Sequence, residues 1–302
     1  MSIILPANMP AGAILTAEGL DVLEAPADFA VTSRLEICIF NLMPKKLDTE
    51  LQLARVLGQT EAYVSLTFAA PSNYAGKNTP PSHLDQFYSR WRDMNRDSAF
   101  DAVIITGAPI ETLPFEDVLY WDEMTEILDW VRGPNDSAAM PLLSLCWGAQ
   151  AALYRYYGIP KRLLSSKLFG VYPHELLIKN SPFLKNLDSC PKMPVSRWTE
   201  TNIADLKGTQ NLKPLLVSQN TGLGALFDEH LGHLHILNHF EYDALTLDAE
   251  YRRDTEKGEK IALPENYYPD NDPTKMPKKS WGSNAHIFYG NWVEWLLSKK
   301  YS

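Results

Sequence analysis

A cysteine lies where the sequence predicts a sharp turn between a strand and a helix. Residues 144–148 (SLCWG) join an apolar stretch to a helical pattern, and small residues, Ser144 and Gly148, stand two positions before and after Cys146. A nucleophile on such a turn needs small flanking residues because the backbone is crowded there. The following helix points its positive end at the thiol and offers N–H groups to an oxyanion. The pattern makes a nucleophile and a buried structural cysteine equally good interpretations.

A nucleophilic cysteine needs a base, and His239 and Glu241 are the best candidates. Residues two apart on an extended segment face the same side, so the carboxylate can fix the tautomer and stabilise the imidazolium. A surface histidine beside a surface glutamate is an equal alternative on this pattern alone. Several histidines also suggest a metal site: His230, His233, His235 and His239. They lack a carboxylate or cysteine at ligand spacing, so we expect no metal.

Composition excludes several classes of function. The chain has 302 residues, with 28 basic and 37 acidic side chains and a net charge of −9, which argues against a nucleic-acid or anionic-membrane partner. No apolar run is long enough to span a membrane. Cys38, Cys146 and Cys190 match neither a disulfide framework nor a zinc pattern. A secretory signal requires basic residues near its start, and no basic residue precedes Arg34. We expect a reduced, cytoplasmic protein.

The elements that must position these residues alternate between strand and helix. Apolar strands are predicted at 35–43, 62–68, 100–107 and 140–146. Helical patterns follow them at 47–57, 82–91, 118–131 and 148–158. This alternation predicts βαβ units in an α/β fold with a mostly parallel, doubly wound sheet, and it puts Cys146 at the carboxyl end of a strand, where such sheets place their sites. Nicotinamide, P-loop and ordinary serine-hydrolase motifs are absent.

The second half of the chain has a different pattern. Short strands separated by glycine-containing turns are predicted at 215–217, 224–227 and 233–238, which favours antiparallel hairpins. A helix is expected at 244–257, and a short terminal helix around 292–296. The segment 263–280 carries four prolines, so we expect a long irregular loop of the kind that covers a site. Nothing resembles a linker, and we expect one domain over 1–302.

Several segments, in order and with similar spacing, resemble one known family. They are NLMPKKLDTELQLARVLG (41–58), DAVIITGAPIETLPFEDVLYW (101–121), LCWGAQAALYRYYGIPK (145–161), KLFGVYPHE (167–175), SRWTE (196–200), HFEYDALTLDAEYRRD (239–254) and NYYPDNDP (266–273). Over about residues 1–295 the chain resembles the homoserine O-acyltransferases, also called homoserine transsuccinylases. The resemblance implies a flavodoxin-like fold similar to class I glutamine amidotransferases, an acyl-CoA co-substrate, no permanently bound cofactor and, at family level, a homodimer.

The resemblance also implies roles for particular residues. Cys146 would be the acyl-accepting nucleophile, His239 the base and Glu241 the group that orients it. The residues implied to contact substrate are Lys167, Ser196 and Arg253. Glu111 occupies the position that influences acyl choice, and a carboxylate there would repel and crowd a succinyl group while leaving room for acetyl. We expect the oxyanion donors to be the N–H groups of Trp147 and of the 107–108 loop, at Ala108.

Departures from the usual family motifs leave the acceptor open. They are Trp198, Asn238, Phe240, Gly282 and Asn284. L-serine is homoserine without one methylene, which contributes only about 1–3 kcal/mol of discrimination, so a few changes could switch the acceptor. We expect acetyl transfer from acetyl-CoA to L-homoserine, with L-serine as the main alternative. Further alternatives are succinyl-CoA as the donor, a glutamine amidotransferase-like hydrolase, and a binding protein without activity.

Overall fold

Strands and helices alternate along most of the chain, as the hydrophobic pattern predicts. The computed structural model describes residues 2–26, 34–60, 62–73, 78–96, 100–136 and 139–301. The strands are β1 (Ser2–Pro6), β2 (Asp21–Ala25), β3 (Arg34–Phe40), β4 (Tyr63–Ala70), β5 (Tyr88–Arg90), β6 (Ala102–Ile105), β7 (Leu142–Leu145), β8 (Arg162–Pro173), β9 (Glu175–Leu176), β10 (Lys192–Glu200), β11 (Leu212–Ser218), β12 (Gly222–Asp228) and β13 (His233–Ile236). The α-helices are α1 (Pro10–Ala17), α2 (Lys46–Leu57), α3 (Pro81–Phe87), α4 (Trp121–Arg132), α5 (Trp147–Tyr157), α6 (Thr246–Glu256) and α7 (Gly282–Lys300).

The central sheet has the order β2-β1-β4-β3-β6-β7-β13-β12-β11-β9, with β5 beside β4. Every pair from β2 to β13 is parallel, and the pairs among β13, β12, β11 and β9 are antiparallel. The predicted α/β class with an antiparallel extension is therefore confirmed. The predicted strand at 233–238 is not only part of a hairpin, because β13 also pairs in parallel with β7. This pairing places the segment before His239 beside the strand that leads to Cys146.

Apolar side chains cover both faces of the sheet. On β3, Leu35, Ile37 and Ile39 pack with α1, α2 and α7, whereas Cys38 and Phe40 face α4 and α5. This alternation is the pattern of a strand that is buried on both faces. Burial raises the pKa of the Cys38 thiol. Cys38 is therefore core filler, as its place in an apolar strand predicts.

A separate two-stranded sheet, β8 with β10, is absent from the predictions. The strands are antiparallel, with Ser196 opposite Phe169 and a register shift between Arg197 and Thr199. Its outer half is exposed and polar, so the hydrophobic pattern alone gives little sign of a strand. The sheet carries Lys167 and Ser196 to a cavity that Cys146 also lines.

Several element boundaries differ from the predictions. The helix predicted over 82–91 ends at Phe87, because Tyr88 starts β5 and its hydroxyl bonds to Asn41 and Glu50. The segment β1-α1-β2 was not predicted, since these elements are short and mostly apolar. The terminal helix α7 is longer than expected, because Trp281, Phe288 and Trp292 along it are buried. The segment 263–280 has neither α-helix nor a named strand, as predicted.

Candidate active site

Cys146 occupies the predicted turn, and its backbone is strained. It follows β7 directly and precedes α5, with φ 48° and ψ −113°. Such a conformation is costly for a residue with a side chain and is concentrated at functional sites. The Cys146 N–H donates to the Ile236 carbonyl at 2.7 Å, which ties the turn to β13. Cys146 as a whole residue is 9% exposed and lines a cavity, so it is sheltered from bulk solvent.

Two glycines allow the turn to form. A Cβ on Gly148 would lie 2.7 Å from the Thr106 carbonyl oxygen, a backbone atom with little freedom to move. A Cβ on Gly107 would lie 3.2 Å from the Cys146 Cβ. A small residue is therefore needed at Gly148, on the helix side of the thiol, as predicted. A small residue is also needed at Gly107, in the neighbouring loop after β6.

His239 and Glu241 are brought together beside Cys146. The Nδ1–Oε1 distance is 2.7 Å, and because a carboxylate only accepts, Nδ1 carries the proton. The His239 ring also stacks on Tyr242 at 4.1 Å between centroids. Burial alone would lower the pKa of His239, but the charges of Glu241 and Cys146 and hydrogen bonds with both hold it well above its usual value. The site therefore favours the imidazolium form of His239.

These side chains open into a cavity of about 790 Å³. Carboxyl ends of β3, β6, β7 and β13 meet at this edge of the sheet, where open α/β sheets place their ligands. The cavity is lined by every residue for which the sequence predicts a role of the side chain. These are Glu111, Cys146, Lys167, Ser196, His239, Glu241 and Arg253. Ala108 lines it too. The Trp147 side chain does not line the cavity but packs against Phe115. This placement is consistent with the prediction that Trp147 acts as an oxyanion donor through its backbone N–H alone.

Glu250 is a site residue that sequence reasoning missed. Its carboxylate lies 3.4 Å from Lys167 Nζ, accepts from the Ser196 hydroxyl and accepts from the Tyr242 hydroxyl at 2.9 Å. The signal was available, since Glu250 and Asp254 are four residues apart on one face of α6, with Arg253 beside them.

Lys167 and Arg253 are both held by Asp254. The Lys167 Nζ lies 3.1 Å from Asp254 Oδ2, and the Arg253 Nε lies 2.6 Å from Oδ1. Burial would raise the pKa of Asp254, but bonds to Arg253 and the Lys167 charge hold it below its usual value. Arg253 remains 42% exposed at its side chain, so its other guanidinium nitrogens are available to an anion in the cavity.

Glu111 lines the same cavity as this charged cluster and lies next to Trp198. The Trp198 backbone N–H donates to Glu111 Oε1 at 3.3 Å, and Lys161 Nζ donates to the Glu111 carbonyl at 2.6 Å. These contacts fix a carboxylate in the cavity wall. Of the departures from the usual motifs, Trp198 lines the cavity, as expected for a residue that influences the acceptor.

The other departures lie outside the cavity lining. Phe240 packs in the core against Phe288, and Asn284 bonds to Asp188 at 2.8 Å. Gly282 starts α7 near Lys279 and does not line the cavity. Asn238 is fully buried behind His239, where it bonds to His174 at 2.8 Å.

Among the described residues, no group of three or more His, Cys, Asp or Glu side chains is arranged to hold a metal ion. Burial lowers the pKa of His235 to about 4, and its Nδ1 lies 2.7 Å from the Ser144 hydroxyl. None of the helices in the described ranges is long and apolar enough to cross a membrane.

Comparison with known proteins gives both family and fold. The family model described as homoserine O-succinyltransferase matches residues 2–302. Proteins named homoserine O-acetyltransferase are similar: one from Synechococcus elongatus is 45% identical, covering 98% of this chain and 97% of its own. Another, from Chelativorans sp., is 42% identical, covering 97% and 93%. A solved glutamine amidotransferase from Thermotoga maritima, at 12% identity, covers 89% of this chain and 99% of its own with a TM-score of 0.57, and it supports the fold alone.

Proposed function

Since the chain belongs to the homoserine O-succinyltransferase family and is an acyltransferase, we propose that it moves the acetyl group of acetyl-CoA to the side-chain hydroxyl of L-homoserine. This reaction would supply an activated homoserine for methionine biosynthesis. The observation that carries the proposal is the strained Cys146 beside the hydrogen-bonded His239–Glu241 pair, in a cavity that also contains Glu111.

In the first half-reaction the Cys146 thiolate attacks the thioester carbonyl of acetyl-CoA. A new C–S bond forms to Cys146, the C–S bond to CoA breaks, and the His239 imidazolium gives its proton to the departing CoA sulfur. The first N–H groups of a helix have no partner within the helix, so the Trp147 N–H can stabilise the oxyanion together with that of Ala108. One thioester replaces another, so the acetyl group remains activated.

In the second half-reaction His239 takes the proton of the acceptor hydroxyl, whose oxygen attacks the acetyl group on Cys146. The ester forms, and the thiolate is regenerated beside a protonated His239. Acetylation removes the Cys146 charge, which is one of the groups that raise the pKa of His239. The pKa of His239 therefore falls in the acetyl-enzyme, and the imidazole becomes available as a base when one is needed.

The charged cluster suits an amino acid acceptor. Arg253 can hold the α-carboxylate through its free guanidinium nitrogens, and Glu250 can accept from the α-ammonium group. Lys167 and Ser196 are bonded to Glu250, so they keep its carboxylate in position. The donor is argued from Glu111, whose carboxylate in the cavity wall would repel the second carboxylate of succinyl-CoA and tolerate acetyl-CoA.

L-Serine is a second candidate acceptor because of one observation. The Trp198 side chain stands in the cavity wall beside Glu111, and a bulky ring there reduces the room for an acceptor. A shorter hydroxy amino acid would then reach the acetyl group with less crowding.

A competition assay tests both choices. The protein is supplied with acetyl-CoA or succinyl-CoA and with equal concentrations of L-homoserine and L-serine, and the products are separated by mass. The proposal predicts O-acetylhomoserine as the main product and at least tenfold less succinyl transfer. A tenfold excess of O-acetylserine would instead identify serine as the acceptor. Hydrolysis of glutamine without dependence on CoA would indicate an amidotransferase-like hydrolase.

A further inference from the structure

A buried arginine lies next to the active site. Arg197, on β10, is 2% exposed, and its guanidinium donates to the Thr199 carbonyl at 2.7 Å, to the Thr221 carbonyl and to Asn238 Oδ1 at 3.4 Å. These acceptors are neutral, and no carboxylate of the described residues lies within 4.0 Å of it. Burying a cation without an anion is costly, so a retained one needs a reason.

A directional chain of hydrogen bonds fixes this guanidinium. The Tyr172 carbonyl can only accept, so His174 donates from Nδ1 at 2.9 Å and is left with an acceptor at Nε2. Asn238 Nδ2 donates to that nitrogen at 2.8 Å, which turns Oδ1 toward Arg197. Burial lowers the pKa of His174 to about 4, and the neutral ring therefore keeps these roles at neutral pH.

The chain ends at the catalytic residues. Asn238 immediately precedes His239, whose backbone N–H donates to the Pro194 carbonyl on β10 at 2.9 Å. Burial lowers the pKa of Arg197, and the charge of Cys146 raises it, followed by that of Glu200. Geometry connects the two residues, because Arg197 bonds to Asn238 and the Cys146 N–H bonds to the Ile236 carbonyl, both on the segment that leads to His239. Among the described residues, His239 and the Tyr242 hydroxyl also interact electrostatically with Cys146.

We propose that Arg197 is a fixed, buried cation that stabilises the negative charge on Cys146 and on the acyl-transfer intermediate. Asn238 and His174 hold it in place. The inference rests on the proposed role of Cys146 as nucleophile. His239 gives up its proton during the reaction, so its positive charge is transient, whereas the arginine keeps its charge throughout. Asn238, one of the departures from the usual family motifs, then couples Arg197 to the base.

Alkylation of Cys146 by iodoacetamide, followed across pH, tests this role without needing any substrate. Because the thiolate is the reactive form, Arg197→Met should move the pH midpoint of alkylation upward by about one unit, with kcat/KM for acetyl-CoA reduced about 10- to 100-fold. Arg197→Lys keeps the charge and should recover most of the midpoint. Asn238→Asp keeps the arginine and the side-chain shape but places a carboxylate beside it that offsets its charge, and should move the midpoint in the same direction as Arg197→Met.

Arg155→Met removes an arginine from an exposed ion pair with Asp129 and serves as the matched control, with no expected change in the midpoint. If Arg197→Met does not fold, Asn238→Asp tests the same charge. An unchanged midpoint in whichever of these two variants is folded, as judged by circular dichroism, would overturn the proposal. Failure of the proposed function is a separate result, since it would appear as a wild-type protein that alkylates normally but gains no acetyl group from acetyl-CoA.

Discussion

Individual side chains at the site act as coupled pairs rather than singly. The charge of Glu241 raises the pKa of His239, and the charge of Cys146 raises it further, so each member of the trio depends on the next. Spacing made Cys146 and the His239–Glu241 pair candidates, and the family resemblance implied their roles. Glu250 was overlooked although its spacing from Asp254 on α6 was visible in the sequence. Arg197 was not predicted because its burial depends on contacts with Thr221 and Asn238 that no local pattern reveals.

Glu241→Gln should reduce kcat/KM for acetyl-CoA on the order of 10²- to 10³-fold. Glutamine retains the shape of the side chain but removes the charge that holds the pKa of His239 up, so less thiolate–imidazolium pair is present. The release of free CoA gives the rate. Tyr289→Phe, which removes only a 3.4 Å contact to the other carboxylate oxygen, is the control and should stay within about threefold. Equal effects in both variants would contradict the assigned role.

Glu111→Gly should raise the ratio of succinyl-CoA to acetyl-CoA turnover by at least about tenfold. The change removes a carboxylate from the cavity wall but leaves the backbone carbonyl that accepts from Lys161. Thr112→Ala, at the next position of the same wall, is the control and should leave the ratio unchanged. An unaltered ratio in Glu111→Gly would show that acyl choice is made elsewhere.

At the level of elements, the site depends on two junctions between strand and helix or loop. The turn from β7 to α5 carries Cys146, and the segment that follows β13 carries His239, with the two strands paired in parallel. The hydrophobic pattern predicts β7 and α5 well because both are strongly apolar. It cannot predict that β13 lies next to β7, since this pairing joins residues about ninety positions apart in the chain.

Gly148→Ala should destabilise the protein by at least about 2 kcal/mol and lower its activity. The added Cβ would lie 2.7 Å from the Thr106 carbonyl oxygen, so the turn that holds Cys146 must shift. Gly290→Ala is the matched control within α7, where a Cβ meets nothing within 4 Å, and it should stabilise by about 0.5–1 kcal/mol. Urea unfolding measures both variants. A neutral effect at 148 would refute the close packing of the turn.

For the whole molecule, the sequence predicts the α/β class and the edge of the sheet that bears the site, because both follow from the alternation of apolar strands and helices. The separate β8–β10 sheet escapes prediction, since one half of it is exposed and polar and its pairing is not local. A single domain over 1–302 and a homodimer remain predictions.

Stability should fall in weak acid because buried histidines are neutral in the folded protein. The pKa of both His174 and His235 is lowered to about 4 by burial, whereas in the unfolded chain it is about 6.5. Between these values the unfolded state binds more protons, so the free energy of unfolding decreases as pH falls from about 6.5 and levels off below about 4. The slope is up to about 1.4 kcal/mol per pH unit for each histidine.

Urea unfolding at pH 7 and pH 4.5 checks this dependence. His235→Asn retains a hydrogen-bonding side chain near Ser144 but cannot titrate, so its stability should depend less steeply on pH than that of the wild type. His230→Asn, at a side chain that is 52% exposed, should leave the slope unchanged. The same slope in all three proteins would contradict the assigned burial effect.

The formation of an acetyl-enzyme tests the central claim most directly. The protein is mixed with acetyl-CoA alone, quenched in acid and weighed by mass spectrometry, with Cys146→Ala as the control. The account predicts a gain of one acetyl group, located on the peptide that contains Cys146, and its loss when L-homoserine is added before the quench. No gain in mass, or an equal gain in Cys146→Ala, would contradict a mechanism that proceeds through this cysteine.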